Sequence, residues 1–174
     1  VLGRAGEHET EMQAIIRSGG FAQDFPAEVQ EAAESLHARQ AEIFAAAASD
    51  PQRRDLRDRP TMTIDPADAK DFDDALSVRE LESGNVEVGI HIADVSHYVE
   101  EGGAIDLEAR ERGTSIYLVD RVIPMLPEIL SNDLCSLRPN EDRLAFSAVF
   151  EMTRTGEVVS EWYGQTLIHS DKRF

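Results

Sequence analysis

Five aspartates crowd into ten positions of TIDPADAKDFDDAL, the stretch from Thr63 to Leu76: Asp65, Asp68, Asp71, Asp73 and Asp74. Apolar residues precede them (Met62, Ile64) and follow them (Ala75, Leu76, Val78), so strands are expected on either side. Like charges about 4 Å apart repel by roughly 4 kcal/mol at an effective dielectric near 20. A fold that gathers several carboxylates must leave each in bulk water or place a cation among them, and the spacing alone leaves both open. An EF-hand loop starting at Asp65 would need oxygen ligands where Ala67 and Ala69 stand, glycine in place of Lys70 and glutamate in place of Leu76. A start at Asp71 fits Asp73 and Glu82 but fails at Ala75 and Leu76. Mg²⁺ demands less, since it accepts one or two carboxylates and fills its shell with water and phosphate. Asp65, Asp71, Asp73 and Asp74 offer such a half-open set. Asp73 and Asp74 are adjacent and point to opposite sides of an extended segment, so they serve one ion differently unless the loop turns there.

Upstream, the pattern is helical. Met12, Ile15 and Ile16 predict a helix over residues 9–18, ended by Gly19-Gly20. A second helix is expected from Pro26, with Phe25 as a staple, and carries Val29, Ala32, Ala33, Leu36, Ile43, Phe44 and Ala47 as far as residues 49–51. Residues 52–60 hold Arg53, Arg54, Arg57 and Arg59 and read either as a solvated connector or as a phosphate-contacting edge. After Pro60 the period changes to two. Strands are predicted over residues 61–64, 75–81 and 86–92, the last two joined by a turn at Ser83-Gly84-Asn85, with Val86, Val88, Ile90 and Ile92 on one face. Residues 106–112 form a short helix stopped by Gly113, and residues 114–119 are extended. An apolar loop with Pro124 and Pro127 leads into another short helix. The clearest hairpin joins residues 144–152 to 157–167 through Thr155-Gly156. These elements predict an α/β (α+β) fold: a mixed, largely antiparallel sheet with flanking helices. Residues 1–55 read as a helical lead-in and residues 56–174 as the main domain.

The single cysteine, Cys135, rules out an internal disulfide, and no apolar run approaches the ~18 residues of a membrane span, so a cytoplasmic protein is expected. A net charge of −17 argues against a general nucleic-acid surface, because such affinity rests on Lys and Arg neutralising phosphates. It does not argue against a metal-dependent phosphodiesterase. A start at Val1 and a stop just past a strand-like run give the expectation of a piece cut from something larger.

Four segments in order resemble the catalytic (RNB) domain of the RNase II/RNase R family: IDPADAKDFDDALS, HIADVSHYV at residues 91–99, SIYLVDRVIPMLP at 115–127 and LSNDLCSLRP at 130–139. The resemblance covers about residues 56–150. It implies a processive, Mg²⁺-dependent, hydrolytic 3′-to-5′ exoribonuclease that acts on single-stranded RNA and releases nucleoside 5′-monophosphates. It further implies that Asp65 and Asp74 ligate metal directly and that Asp71 assists. Asp73 would be most critical to hydrolysis, through a second ion or the attacking water, and Tyr117 would clamp the 3′-terminal base. Asp68 lies outside the motif and reads as a surface residue. The family's later catalytic half, with an arginine, a second stacking aromatic and most of the basic channel, has no counterpart here, nor do its OB-folds. The resemblance therefore implies that the fragment is inactive alone and that a second chain could carry the rest.

Other features have two readings each. His91, Asp94 and His97 are either a transition-metal site or structural hydrogen-bonding groups. Cys135 is a nucleophile or a buried small residue. Arg110, Arg112 and Arg121 are phosphate contacts or solvated charges, and Trp162 belongs to the core or an interface. Two rival functions stand beside the nuclease: a catalytically silent RNA-binding relative, and an unrelated Mg²⁺-dependent phosphotransferase built on a D-x-D loop.

Overall fold

The computed structural model describes residues 3–174. Before the sheet come three helices: α1 (His8–Ser18), α2 (Ala27–Ala38) and α3 (Gln40–Ala48). The single helix expected beyond Pro26 is thus two, broken at Arg39 (φ −103°, ψ 8°). Gln40 occupies the position four after Leu36, so the apolar stripe lapses there and nothing fastens a continuous helix across the junction. The Arg39 N–H divides itself between the carbonyls of Ser35 and Leu36, at 3.2 Å each.

Period-two alternation then builds the sheet from β1 (Arg54–Asp55), β2 (Thr61–Thr63), β3 (Asp74–Glu80), β4 (Val86–Ala93), β7 (Asp142–Met152), β8 (Val158–His169) and β9 (Lys172–Arg173), in the order β1-β8-β7-β4-β3-β2-β9. The five central strands pair antiparallel, and only the edges β1 and β9 pair parallel to their neighbours. A separate two-stranded hairpin, β5 (Ile116–Tyr117) with β6 (Val122–Ile123), stands apart from the sheet. Short helices α4 (Val95–Tyr98) and α5 (Ala104–Arg112) connect β4 to this hairpin. Gly113, in the left-handed region at φ 72°, stops α5. The short helix expected after Pro127 is a π-helical turn, Leu130–Leu134. No helix among the described residues is long and apolar enough to cross a membrane.

The two faces of the sheet differ. Ala75, Ala93, Ala145 and Val149 pack with Val29, Ala33, Ala47, Tyr98, Ile105, Leu130 and Leu137 into one core. His91 is fully buried on this face, between the hydroxyls of Ser77 (2.9 Å) and Ser147 (2.7 Å), and Ser147 in turn meets Thr166 at 2.6 Å. The opposite face carries the apolar alternation of β4. Leu76, Ile90, Ala148 and Tyr163 stand in one row across four strands, with Ile92 and Phe146 in the next, and Ile92, Phe146 and Tyr163 are each about half exposed. No helix of the described chain covers that face.

The basic stretch at residues 52–60 is largely exposed, as a connector is, but two of its residues are anchored in the fold. Arg53 is buried; it donates to Asp94 Oδ2 at 2.8 Å and to the Thr166 carbonyl at 3.0 Å. Leu56 is buried as well, and its N–H donates to the Leu167 carbonyl. Arg57 bonds Asp55 and Asp142, and Arg59 bonds Asp58 and Glu87. Carboxylates close at hand take up these guanidinium groups, and β1 draws the segment into the sheet edge. Removing one partner of a buried pair leaves an uncompensated charge, so Arg53→Ala is expected to cost about 3–5 kcal/mol of stability. Arg57→Ala, which breaks partly exposed pairs, should cost about 1 kcal/mol or less. Urea denaturation of the two variants checks the contrast.

Candidate active site

The aspartate loop joins β2 to β3, and its main apolar anchor is Phe72, with Ala69 partly buried against the same core. That ring is buried in the core, so the flanking Asp71 and Asp73 project away from it. Phe72 N–H donates to Ser136 Oγ (3.0 Å), and its carbonyl accepts from Leu137 N–H (2.8 Å). The Asp73 carbonyl accepts from Ala93 N–H at 2.9 Å. At the loop's other end Asp65 N–H donates to the Phe174 carbonyl (3.1 Å), which ties the start of the loop to the chain just beyond β9. Arg173 donates to the Pro66 carbonyl, and its guanidinium lies 5.0 Å from the centre of the Phe72 ring.

These restraints set Asp65, Asp71 and Asp73 along a cleft of about 640 Å³. Asp68 is exposed, as expected of a surface residue, but stands on the same rim. Asp74 opens β3 opposite Ile92 and is not among the residues lining the cleft. Its charge nonetheless acts on both Asp65 and Asp73, so it belongs to the same cluster. The lining groups include six carboxylates, those of Asp65, Asp68, Asp71, Asp73, Asp120 and Glu128, and a single cationic side chain, Lys70. Burial raises the proton affinity of Asp73, and the charges of Asp71, Asp74 and Asp65 raise it further. Burial and Asp74 do the same to Asp65, opposed by Arg173. The four motif aspartates thus feel one another.

Across the cleft stands Tyr117, two-thirds exposed, on the β5–β6 hairpin. Its hydroxyl makes a long contact of 3.4 Å with Asp71 Oδ2, and burial together with Asp71 pushes the phenol above its ordinary pKa. The hairpin is fastened to α1. Arg121 bonds both oxygens of Glu9, at 2.6 and 3.1 Å, and His8 lies 2.7 Å from Asp120. The Arg121 guanidinium holds Glu9 down to about 2. Nothing in the apolar spacing of α1 pointed to this role; its signal was the charge pair Glu9 and Arg121, 112 positions apart.

Mg²⁺ fits this donor set. Asp65 Oδ2 is a buried carboxylate oxygen with no partner at hydrogen-bond distance, and the neighbouring Thr63 hydroxyl, which favours the charged carboxylate, is unpaired too; a cation would satisfy the oxygen. Among the described residues no three His, Cys, Asp or Glu side chains converge on one ion position. In this geometry an ion has at most two protein carboxylates and takes its remaining oxygens from water and phosphate, which Mg²⁺ tolerates.

The remaining candidates lie elsewhere. His91 is pushed down to about 4 by burial and stays neutral, Asp94 pairs with Arg53, and His97 packs edge-on against Tyr98, so the three form no metal site. Cys135 is buried and its thiol is pushed up to about 12. Arg110, Arg112 and Arg121 are each paired with a carboxylate. Trp162 packs at the core's margin beneath the Arg54 guanidinium, 3.8 Å from the ring centre.

The sequence pattern of the RNB domain matches residues 53–174. Ribonuclease R 1 of Lactococcus lactis is 43% identical over 175 residues, which is 99% of this chain and 21% of that protein. An Arabidopsis thaliana protein named an inactive exonuclease, DIS3L2, is 52% identical over 119 residues, 68% of this chain and 11% of its own. Among solved structures, Mycoplasma genitalium RNase R in complex with ribose-methylated single-stranded RNA superposes with a TM-score of 0.87 at 32% identity, over 100% of this chain and 26% of that one. The chain spans about a fifth of the length of the curated relatives that it matches almost end to end.

A folded-state pKa above the unfolded value means that folding takes up a proton between the two, so stability falls as pH rises through the folded value. Asp73→Asn removes that cost. The metal-free variant is expected to melt above the unaltered chain at pH 7, with the gap closing near about pH 3, where the carboxyl is protonated in both states. Scanning calorimetry across this range checks it, and a lower melting temperature at pH 7 contradicts it.

Proposed function

Since the chain belongs to the RNB-domain family, we propose that in the intact protein it forms part of a Mg²⁺-dependent, hydrolytic 3′-to-5′ exoribonuclease. Single-stranded RNA is the substrate and nucleoside 5′-monophosphates are the products. The observation that carries this reading is the cleft itself: three motif carboxylates and the exposed Tyr117 ring line it together, with the Tyr117 hydroxyl 3.4 Å from Asp71. A phosphodiester approaching six carboxylates and one ammonium group is repelled, so the chemistry needs cations that the chain does not itself supply. Mg²⁺ held there would activate a water and offset charge on the phosphate.

Asp65, with its unpartnered buried oxygen, and Asp74, at the head of β3, are the proposed direct ligands, and Asp71 assists. Asp73 is the carboxylate closest to the hydrolytic step. Its raised proton affinity suits a group that either holds a cation or accepts a proton from water. Tyr117 stacks the terminal base, a sequence-tolerant contact worth roughly 1–3 kcal/mol. Cytoplasmic RNA is the proposed setting.

The isolated chain is proposed to be inactive, because its cleft has too few cations to follow an RNA backbone. Further polypeptide of the kind carried by the longer relatives, on this chain or a second one, would complete the site. The uncovered sheet face is the surface on which it would pack. An apolar face of this breadth is unusual on an unpartnered monomer, and it begins next to Asp74.

A silent RNA-binding role stays as the second reading, since a relative named inactive and one named an exonuclease share the same 52% identity with this chain. The two readings separate in the complete protein. Asp73→Asn is expected to abolish hydrolysis of a single-stranded oligoribonucleotide while leaving its binding largely intact, and near wild-type turnover would sink the nuclease reading. Tyr117→Ala should weaken RNA binding by roughly 1–3 kcal/mol. Turnover of a small phosphate ester with no response to RNA would instead identify a phosphotransferase.

A further inference from the structure

We propose that Ser136 is a positioning residue of the aspartate site, acting through the backbone on both sides of Asp71. Its Oγ donates to the Lys70 carbonyl at 2.8 Å and accepts from Phe72 N–H at 3.0 Å. One buried hydroxyl therefore bridges the peptide groups that flank Asp71. A hydroxyl suits this place because it donates and accepts at once, which neither alanine nor a carboxylate does.

The loop needs such a clasp. Residues 70–73 precede the first pairing of β3, so the Lys70 carbonyl and the Phe72 N–H have no ladder partner. Without one, two polar backbone groups would be left unmatched beside the core. The carboxylates of Asp65, Asp71, Asp73 and Asp74 meanwhile repel one another and push the loop open. The Ser136 clasp is neutral, so it restrains the backbone without discharging the site.

Ser136 is itself held rigidly. It follows the π-helical turn, a single-turn widening that recurs at functional sites. Leu134 and Leu137 on either side of it are buried in the core. Its N–H donates to the Asp133 carbonyl (3.1 Å), and its carbonyl accepts from Arg143 Nε (2.9 Å). The turn also places Ser131 and Asn132 in the lining of the cleft, so one segment both shapes the cleft and holds the aspartate loop.

The consequence for metal rests on the Mg²⁺ reading above, and the experiment separates the two. Ser136→Ala is compared in the 174-residue chain with Ser147→Ala, which deletes a buried hydroxyl bonded to His91 and Thr166 outside the site. In the metal-free chain, amide exchange at Phe72 should speed by about tenfold relative to β4 and β7 amides in Ser136→Ala, and should not do so in Ser147→Ala. Mn²⁺, a hard cation visible by electron paramagnetic resonance, should then bind about tenfold more weakly to Ser136→Ala and nearly unchanged to Ser147→Ala. Ser136→Thr, which keeps the hydroxyl, should restore affinity to within about threefold. If Ser136→Ala does not fold, Ser136→Cys takes its place in the same comparison. Unchanged Phe72 exchange in the folded variant, or equal loss of Mn²⁺ affinity in both alanine variants, would overturn the proposal. Failure of the unaltered chain to take up Mn²⁺ would count against the metal reading, and the Phe72 exchange would still decide the role of Ser136.

Discussion

Carboxylates that repel one another stay together only when the backbone between them is restrained by groups that do not neutralise them. Elsewhere the protein answers negative charge with arginine: Arg53 to Asp94, Arg79 to Glu87, Arg57 to Asp55 and Asp142, Arg121 to Glu9. At the aspartate loop it does not: among the described residues, none of its five aspartates is in a salt bridge. The restraints on the loop are a buried phenyl ring, a serine hydroxyl, backbone hydrogen bonds from Leu137 and Ala93, and one from Asp65 N–H to the Phe174 carbonyl. Arg173, which opposes the rise at Asp65, directs its guanidinium to the Pro66 carbonyl and the Phe72 ring. The loop is thus positioned through its backbone and the Phe72 ring, and its aspartates have no salt-bridge partner among the described residues. That combination is costly for a purely structural loop and useful for one that takes up a cation.

The same contrast explains what could be read from the chain and what could not. Strand alternation is a local signal, so β3, β4 and the β7–β8 hairpin were legible within a residue or two, as was α5 with its glycine stop. The break at Arg39 was not, because the apolar positions on either side keep helical spacing and only the polar Gln40 between them signals the lapse. The pairing of the arginines in residues 52–60 was not legible for a different reason. Whether a guanidinium meets solvent, phosphate or carboxylate depends on Asp94 and Asp142, which lie 41 and 85 positions away. Pairings of that range have no sequence period.

At the site, the density of aspartates marked the loop, while composition left a solvated loop and a cation site equally open. Position within the fold narrows that choice, since the buried oxygen of Asp65 and the raised proton affinities of Asp65 and Asp73 do not belong to freely solvated side chains. Ser136 escaped notice because its neighbour Cys135 is the more reactive residue type. Yet Cys135 is buried with its thiol proton held, whereas Ser136 touches the loop on both sides of Asp71. Hydrogen-bonding capacity, more than reactivity, set which of the two bears on the site.

The doublet Asp73-Asp74 links these observations to the uncovered sheet face. Phe72 turns Asp73 into the cleft, and the next residue, the first of β3, shares its parity with Leu76 and Val78 on the exposed apolar side. Two consecutive carboxylates therefore straddle the end of the sheet, one in a wet acidic cleft and one at the border of an apolar surface. While that surface meets water, the field of Asp74 is screened. Burying Ile92 and Phe146 beside it would lower the local dielectric and strengthen the pull of both carboxylates on any cation between them. Under the proposed metal reading, covering the face and charging the site would be a single event, because what packs against β3 and β4 would set the dielectric around Asp74.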